Sequence, residues 1–242
     1  MDYIVVTGAS TGIGEALSRE LAQLGHNLIV VARNYQLLET LKKDLETTYG
    51  IKVIVMNYDL SDLEQLPKLY EACKFYKVIG LINNAGYGLY GSFIELDLDA
   101  ERNLIDLNIT SLHILSKLFL KDFVKQEKGY LLNVASTAAF QAGPYMASYY
   151  ASKAYVLSLT EAIAEELKDN YPNIKVSVLC PGPVATNFQK RAAILTTSRY
   201  LPTAREVAHY GVKQWFRGKT LIIPKFSNRF LIFGNRLLPR KN

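Results

Sequence analysis

The sequence predicts an α/β fold, a single doubly wound domain with a parallel sheet of about seven strands and helices on both faces. Short apolar, β-branched runs recur along the chain, and segments with the spacing of amphipathic helices lie between them. Runs that are apolar throughout are typical of parallel strands buried on both faces. No Pro-, Gly- or Ser-rich linker interrupts this pattern, which favours one domain over residues 1–242.

The predicted elements alternate along the chain, so that right-handed crossovers connect the strands. The predicted strands are 3–7, 27–32, 52–57, 78–83, 129–135, 175–180 and 220–224. The predicted helices are 13–24, 35–48, 99–126, 148–169 and 203–217.

Composition is that of a globular protein, with 49% apolar and 21% charged residues in 242. The two cysteines, Cys73 and Cys180, have apolar neighbours and predict buried thiols of a reducing compartment rather than a disulfide framework. The N-terminus enters a strand-like run at once, and no window approaches the length of apolar sequence that spans a membrane. We therefore expect a cytoplasmic protein.

Positive charge is concentrated at the C-terminus. The whole chain has a net charge of +6. Residues 205–242 contain nine Lys or Arg and only one acid, Glu206, so the rest of the chain is slightly acidic. Such a segment can bind nucleic acid or an anionic membrane. Because its basic residues are spread thinly among apolar ones, we interpret it as a solvated or subunit-contacting face and predict no nucleic-acid partner.

A glycine-rich turn follows the first predicted strand and opens a helix. In TGASTGIG (7–14), Gly8, Gly12 and Gly14 would provide a tight turn, room for a pyrophosphate and close helix–strand packing. The helix N-terminus then offers free N–H groups to the anion. A turn placed in this way at the start of an α/β chain predicts a Rossmann-type dinucleotide site.

The end of the second predicted strand favours NADP(H) over NAD(H). Where an acid often binds the ribose 2′-hydroxyl, this chain has Ala32 and Arg33, and an arginine can bind a 2′-phosphate. The alternative is that Arg33 is only a solvated surface charge. Asp59, after the third strand, is placed to accept from the adenine amino group, or to cap a turn near Ser61.

Further motifs complete a family pattern. With TGASTGIG, NNAG (83–86), Asn108, Ser136 and YYASK (149–153) in this order, the chain resembles the short-chain dehydrogenase/reductase family from residue 3 to about 187. The resemblance implies a catalytic set of Asn108, Ser136, Tyr149 and Lys153. The C-terminal tail has no Gly-Gly turn after TLIIP and is similar to that of broad-specificity or unassigned reductases of the family.

The resemblance, together with these motifs, also implies the cofactor contacts. In CPGPVATN (180–187), the Pro-Gly turn would pass beside the nicotinamide, Thr186 would bind the carboxamide, and Val184 would contribute backbone. The predicted cofactor-binding residues are Gly8, Ser10, Thr11, Gly12, Ile13, Gly14, Arg33, Asp59, Leu60, Asn84, Ala85, Gly86, Tyr149, Lys153, Pro181, Gly182, Val184 and Thr186, and we predict no metal site.

Three Tyr–Lys pairs at the same spacing compete for the catalytic role. They are Tyr70/Lys74, Tyr149/Lys153 and Tyr171/Lys175. Only the second follows a serine at a strand end, Ser136, and lies on one uninterrupted helix; Pro172 breaks the register of the third. Tyr150 also neighbours Lys153 on a helix, and only the family register excludes it.

The residue types suit reduction of a carbonyl, which needs a hydride at carbon and a proton at oxygen. A tyrosine pKa is about 10. The ammonium of Lys153 and a positive nicotinamide would lower the pKa of Tyr149 and make it the general acid. Ser136 would bind the substrate oxygen, and by the resemblance Lys153 would hold the nicotinamide ribose and Asn108 a relay water.

The substrate is the least determined part of the site. The candidate lining is aromatic and favours an apolar or aromatic carbonyl or alcohol, although these residues could equally be packing residues: Tyr87, Tyr90, Phe140, Tyr145 and Phe188. We expect residues 187–202 to form a substrate lid and residues 225–242 a basic, partly apolar tail for subunit contact, or secondarily for membrane-surface contact.

The resemblance implies a homodimer or homotetramer that assembles through the long helices. A non-catalytic NADP-binding sensor or interaction protein on the same fold is the alternative to an enzyme.

Overall fold

Seven parallel strands form one sheet in a computed structural model of the protein, which describes residues 1–185 and 201–225, together with residues 228, 230, 232 and 234. The strands are β1 (Asp2–Thr7), β2 (Asn27–Ala32), β3 (Val53–Asn57), β4 (Lys77–Asn83), β5 (Gly129–Val134), β6 (Ile174–Leu179) and β7 (Leu221–Ile222). Their order across the sheet is β3-β2-β1-β4-β5-β6-β7. The predicted doubly wound α/β fold is confirmed.

Helices cover both faces of the sheet. They are α1 (Gly12–Gln23), α2 (Tyr35–Tyr49), α3 (Gln65–Cys73), α4 (Leu98–Ile105), α5 (Leu112–Lys125), α6 (Ala147–Leu167) and α7 (Ala204–Phe216). The continuous helix predicted over 99–126 is wrong in one respect, because a π-helical segment, Asp106–Ser111, separates α4 from α5. Helix α3 was not among the predicted helices.

Local sequence signals account for several helix ends. The side chain of Asn34 accepts a hydrogen bond from the Leu37 amide at the start of α2 (3.0 Å), and Gly50 ends that helix in the left-handed conformation. Thr203 and Glu206 form a capping box at the start of α7. Side-chain acceptors thus satisfy the first free amides of these helices.

Apolar clusters on the two faces hold the layers together. One joins the sheet to α1, α2 and α7, where Trp215 is fully buried, and the other joins it to α3 and α5, where Phe123 is fully buried. Cys73 and Cys180 are buried free thiols, as predicted. Burial raises the pKa of each to about 12.

The sheet topology places the site. Strand β1 pairs with β2 on one side and with β4 on the other, so the connections leave the carboxyl edge in opposite directions there. Such a switch point opens the crevice in which doubly wound proteins bind ligands.

No helix within the described ranges is long and apolar enough to cross a membrane. Most of the predicted lid (187–202) and of the predicted tail (225–242) lies outside the described residues.

Candidate active site

The turn between β1 and α1 has the shape of a pyrophosphate cradle. Gly8 and Gly12 adopt φ values of +63° and +62°, in the left-handed region that favours glycine. A Cβ on Gly14 would lie 2.1 Å from the Gly8 carbonyl oxygen, so only glycine allows this approach. Thr11 makes no side-chain cap at the start of α1, which leaves first-turn amides available to an anion. Ser10 lies half-buried in the same turn.

The loop after β4 is fastened to this turn. The Thr7 hydroxyl accepts hydrogen bonds from the amides of Asn84 (2.9 Å) and Ala85 (3.1 Å). The Asn84 side chain in turn donates to the carbonyls of Thr7 (3.1 Å) and Gly8 (3.2 Å). A Cβ on Gly8 would lie 2.9 Å from the Ala85 Cα. Two predicted cofactor loops therefore form one rigid rim.

Arg33 and Asp59 meet at the ends of β2 and β3. The Arg33 guanidinium lies 3.5 Å from one carboxylate oxygen of Asp59, and its side chain is 60% exposed. The other oxygen of Asp59 accepts hydrogen bonds from the Ser61 amide (3.0 Å) and hydroxyl (2.7 Å). These hydrogen bonds and Arg33 keep the pKa of Asp59 below its usual value despite partial burial. Asp59 thus has the predicted turn role, and its adenine contact stays a prediction.

The side chains of two other predicted cofactor residues pack in the apolar clusters. Leu60 is buried in the cluster that joins the sheet to α3 and α5. Ile13 is half-buried against the cluster on the opposite face.

Asn108 lies in the π-helical segment and is fully engaged with protein groups. Its side-chain oxygen accepts from the Tyr87 amide (3.1 Å), and its nitrogen donates to the Tyr87 carbonyl (2.9 Å) and to the Ser152 hydroxyl (3.1 Å). A Cβ on Gly86 would lie 2.9 Å from the Asn108 side-chain oxygen and 3.5 Å from the Lys153 Nζ. The loop after β4 therefore reaches the predicted catalytic groups because residue 86 is glycine.

Ser136, Tyr149 and Lys153 come together at the carboxyl edge. Ser136 lies two residues after the end of β5 and caps a 3₁₀ turn (Thr137–Phe140), where its hydroxyl accepts from the Ala138 amide (3.1 Å). The hydroxyls of Ser136 and Tyr149 are hydrogen-bonded to each other. One turn further along α6, the buried Lys153 Nζ lies 5.8 Å from the Tyr149 ring centroid and donates to the Val134 carbonyl (3.0 Å).

The protein groups around Tyr149 do not by themselves lower its pKa, so the lowering by Lys153 and a positive nicotinamide stays a prediction. Burial raises this pKa to about 12, and the hydrogen bond with Ser136 only partly opposes the rise. Burial also lowers the pKa of Lys153 to about 8. The penalty that burial places on the phenolate therefore outweighs the stabilisation that the Ser136 hydrogen bond gives it.

The turn after β6 closes the site on the far side. The Pro181 carbonyl accepts from the Thr137 amide (2.9 Å), which ties this turn to the loop of Ser136. A Cβ on Gly182 would lie 2.7 Å from the Asn228 side chain, a neighbour that the sequence did not suggest. Val184 is buried, and Thr186 lies outside the described residues.

The rival tyrosines have other contacts. The Tyr70 hydroxyl donates to Asp122 on α5 (2.6 Å), and Lys175 Nζ donates to the Pro172 carbonyl (2.6 Å). The Tyr150 ring packs under Gly143, where a Cβ would lie 2.4 Å from it. Of the adjacent pair on α6, Tyr149 is therefore the ring that meets Ser136.

The aromatic candidates for a substrate wall divide into two groups. Tyr87 packs inward, with its hydroxyl 3.0 Å from the Ala100 carbonyl and 2.9 Å from the Asn103 side chain, and Phe140 packs on an apolar cluster. Tyr90 and Tyr145 are exposed, with ring centroids 5.8 Å apart. Phe188 lies outside the described residues.

These features define a class of protein. A parallel sheet with an open switch point, a glycine turn shaped for a pyrophosphate and a Ser–Tyr–Lys cluster at one edge are those of an α/β dinucleotide-binding domain. In the described part of the chain, no group of three or more His, Cys, Asp or Glu side chains is placed to hold a metal ion.

Comparison with known proteins identifies the family. The model of the short chain dehydrogenase family matches residues 2–194, and the chain belongs to this family. The chain is 30% identical over 215 residues to the very-long-chain 3-oxoacyl-CoA reductase of Vanderwaltozyma polyspora, covering 84% of this chain and 60% of that protein. It is 32% identical over 190 residues to the 17-beta-hydroxysteroid dehydrogenase type 3 of Mus musculus, covering 78% and 62%.

A solved structure is similar over nearly the whole chain. The short-chain dehydrogenase from Sphingobium yanoikuyae in complex with NADPH is 28% identical, with a TM-score of 0.86 over 98% of this chain and 94% of that one. The chain spans about 60% of the length of the two curated relatives.

Proposed function

We propose that the protein is an NADP(H)-dependent oxidoreductase that interconverts a carbonyl and an alcohol. The observation that carries this proposal is the meeting of Ser136, Tyr149 and Lys153 beside Gly86, at the edge where the glycine turn opens. NADP(H), when bound, supplies or accepts the hydride. Tyr149 gives its proton to the substrate oxygen, while Ser136 holds that oxygen by a hydrogen bond.

Lys153 and Asn108 support the role of Tyr149, the first by exchanging protons and the second by fixing the position of neighbouring backbone. The buried Lys153 holds its ammonium beside the ring, and its pKa of about 8 allows it to release or regain a proton near neutral pH. Because the Asn108 side chain is engaged with Tyr87 and Ser152, we propose that it fixes the position of Gly86 and α6. A relay water would then bind to its backbone region rather than to its side chain.

Two observations support NADP(H) as the preferred cofactor. Arg33 follows β2 with an exposed guanidinium, and the residue that ends β2 is Ala32 rather than an acid. The related Sphingobium yanoikuyae protein was solved with NADPH. A bound 2′-phosphate would compete with Asp59 for Arg33, because the phosphate and the carboxylate are both negatively charged and repel each other when they share one guanidinium.

The substrate is proposed to be a bulky apolar or aromatic carbonyl or alcohol. Tyr90, in the loop after β4, and Tyr145, in the loop that precedes Tyr149, form an exposed aromatic pair. Two relatives are named for very-long-chain 3-oxoacyl-CoA and for 17-beta-hydroxysteroids, and the very long acyl chain and the steroid skeleton are both large and apolar.

Oxidation of NADPH with a panel of small, bulky aliphatic and aromatic ketones and aldehydes tests this function. We expect Tyr149→Phe to abolish turnover with NADPH binding intact, because the ring stays and only the hydroxyl is lost. Tyr150→Phe is the matched control and should keep turnover. If the wild-type protein binds NADPH tightly but turns over nothing in the panel, the non-catalytic alternative is favoured.

The assembly and location of the protein also stay proposals. We propose a cytoplasmic homodimer or homotetramer that associates through α5 and α6. The molar mass in solution at several concentrations, measured by light scattering, tests the assembly, and a monomer at every concentration would contradict it.

A further inference from the structure

A carboxylate that the proposed reaction does not use is buried beside α6, the helix that carries Tyr149 and Lys153. Glu101, on α4, is 7% exposed, whereas its neighbour Asp99 is exposed and pairs with Arg102. None of the ion pairs among the described residues involves Glu101. A buried carboxylate without a cation is costly unless other groups stabilise its charge.

The group that meets Glu101 is the second residue of α6. The Ser148 hydroxyl donates a hydrogen bond to a carboxylate oxygen of Glu101. This contact joins residues 47 positions apart in the chain and places a negative charge at the N-terminal turn of α6.

Helix α6 has no cap of its own that would do the same. The residue before it, Met146, makes no side-chain cap, and its first turn contains no acid. Helices α2, α4 and α7, by contrast, each begin with a side chain that accepts from a first-turn amide: Asn34, Asp97 and Thr203. Since the N-terminus of a helix carries partial positive charge, Glu101 and α6 stabilise each other.

Helix α4, which carries Glu101, is itself fixed to the cofactor rim. The Tyr87 hydroxyl lies 3.0 Å from the Ala100 carbonyl and 2.9 Å from the Asn103 side chain. The backbone of Tyr87 is held by Asn108, next to Gly86. The carboxylate is thus placed by the same loop that would contact the cofactor.

We propose that Glu101 is a positioning residue: through Ser148 it anchors the first turn of α6 and places a negative charge at the N-terminus of that helix, and so holds the adjacent Tyr149 against Ser136. This inference rests on the proposed function, because Tyr149 is taken as the proton donor. The contact fixes the first turn of α6, and a tyrosine displaced by a fraction of an ångström delivers its proton less effectively.

The test compares Glu101→Ala, Ser148→Ala, the double variant and Glu101→Gln, with Asp99→Asn as the control on the exposed face of α4. We expect each Ala variant to lower kcat about tenfold while the Kd for NADPH changes less than about twofold. The double variant should be no slower than either single variant, because both remove one contact. Glu101→Gln keeps an acceptor for Ser148 and should retain more activity than Glu101→Ala.

Amide hydrogen exchange gives a readout that does not depend on turnover. Exchange over residues 147–153 should become faster in both Ala variants and stay at the wild-type rate in Asp99→Asn. Additive losses of kcat in the double variant, or unchanged exchange and unchanged kcat in Ser148→Ala, would overturn the inference. A wild-type protein that turns over no substrate would instead refute the proposed function, and exchange would still test the contact.

Discussion

Lys153 and Tyr149 lie one helical turn apart, with the ammonium nitrogen 5.8 Å from the centroid of the tyrosine ring, and burial disfavours the charged form of both. For Lys153 the pKa falls to about 8 in the folded protein, below its unfolded value of about 10.4. Between these two pH values the unfolded state therefore binds more protons than the folded state. The destabilisation by Lys153 is complete below about pH 8 and disappears as the pH rises toward the unfolded value.

Lys153→Met should accordingly raise the free energy of unfolding at pH 7, by roughly 1–2 kcal/mol once the lost hydrogen bond to Val134 is allowed for. The gain should shrink as the pH rises from about 8 to 10, because the wild-type lysine becomes neutral in the fold. Urea unfolding of both proteins at pH 7 and pH 9.5 measures it. Turnover should be lost at both pH values, and a variant less stable than wild type at pH 7 would contradict the prediction.

Gly14→Ala tests the close contact in the cofactor turn. The new methyl would meet the Gly8 carbonyl oxygen at 2.1 Å and the Asn84 side chain at 2.4 Å, so both loops of the rim must shift. We expect a loss of stability of about 2 kcal/mol and much weaker NADPH binding. Urea unfolding and NADPH fluorescence titration measure the two effects.

Gly25→Ala is the control for that substitution. Gly25 has a φ of +83° but no atom within 4 Å of an added Cβ, so only backbone strain of about 1 kcal/mol is expected. NADPH affinity should match wild type. Equal weakening of NADPH binding by the two glycine variants would show that general destabilisation, rather than the shape of the turn, governs affinity.

Arg33→Asp tests the cofactor preference. The substitution removes the cation facing the proposed 2′-phosphate and leaves Asp59 unpaired beside a second carboxylate. The Kd for NADPH should rise at least about tenfold, and the Kd for NADH much less. Arg217→Asp, at the end of α7, repeats the charge change away from the site. If the ratio of the Kd for NADPH to the Kd for NADH in Arg33→Asp stays at the wild-type level, the assignment of Arg33 to the 2′-phosphate is refuted.

The fold was largely predictable because the strands carry their own signal. Continuous apolar runs such as Asn27–Ala32 have to be buried on both faces, which only the interior of a parallel sheet provides. Helix α3 was harder to recognise, since Pro67 lies within it. It occupies the first turn, where the missing N–H removes no helical hydrogen bond.

The site was predictable only as far as ordered motifs reach. The order of Ser136, Tyr149 and Lys153 in the chain anticipates their meeting at one edge, but not the pKa of Tyr149, which depends on how deeply the folded chain buries the ring. The π-helical segment around Asn108 adds a residue to the helical turn, which side-chain periodicity does not show. Glu101 and Ser148 are 47 residues apart, and neither belongs to a local pattern.

The last prediction concerns the aromatic pair at the proposed substrate wall. Tyr145 adopts a φ of +62°, the left-handed conformation that costs a residue with a Cβ about 1 kcal/mol, and its side chain is 59% exposed. Its carbonyl accepts from the Gly91 amide (2.9 Å), which ties the two loops together. A strained, exposed aromatic residue does little for the fold, so we expect its ring to contact substrate.

Tyr145→Asn should therefore separate stability from activity. Asparagine tolerates the left-handed conformation, so relief of strain offsets the lost ring contact with Tyr90, and stability should be no lower than wild type. The KM for bulky apolar ketones should rise about fivefold or more, while the KM for small ketones and for NADPH stays unchanged. Tyr145→Phe keeps both ring and strain and serves as the control. If the Asn variant kept the wild-type KM for bulky ketones, Tyr145 would be a residue of the loop connection alone.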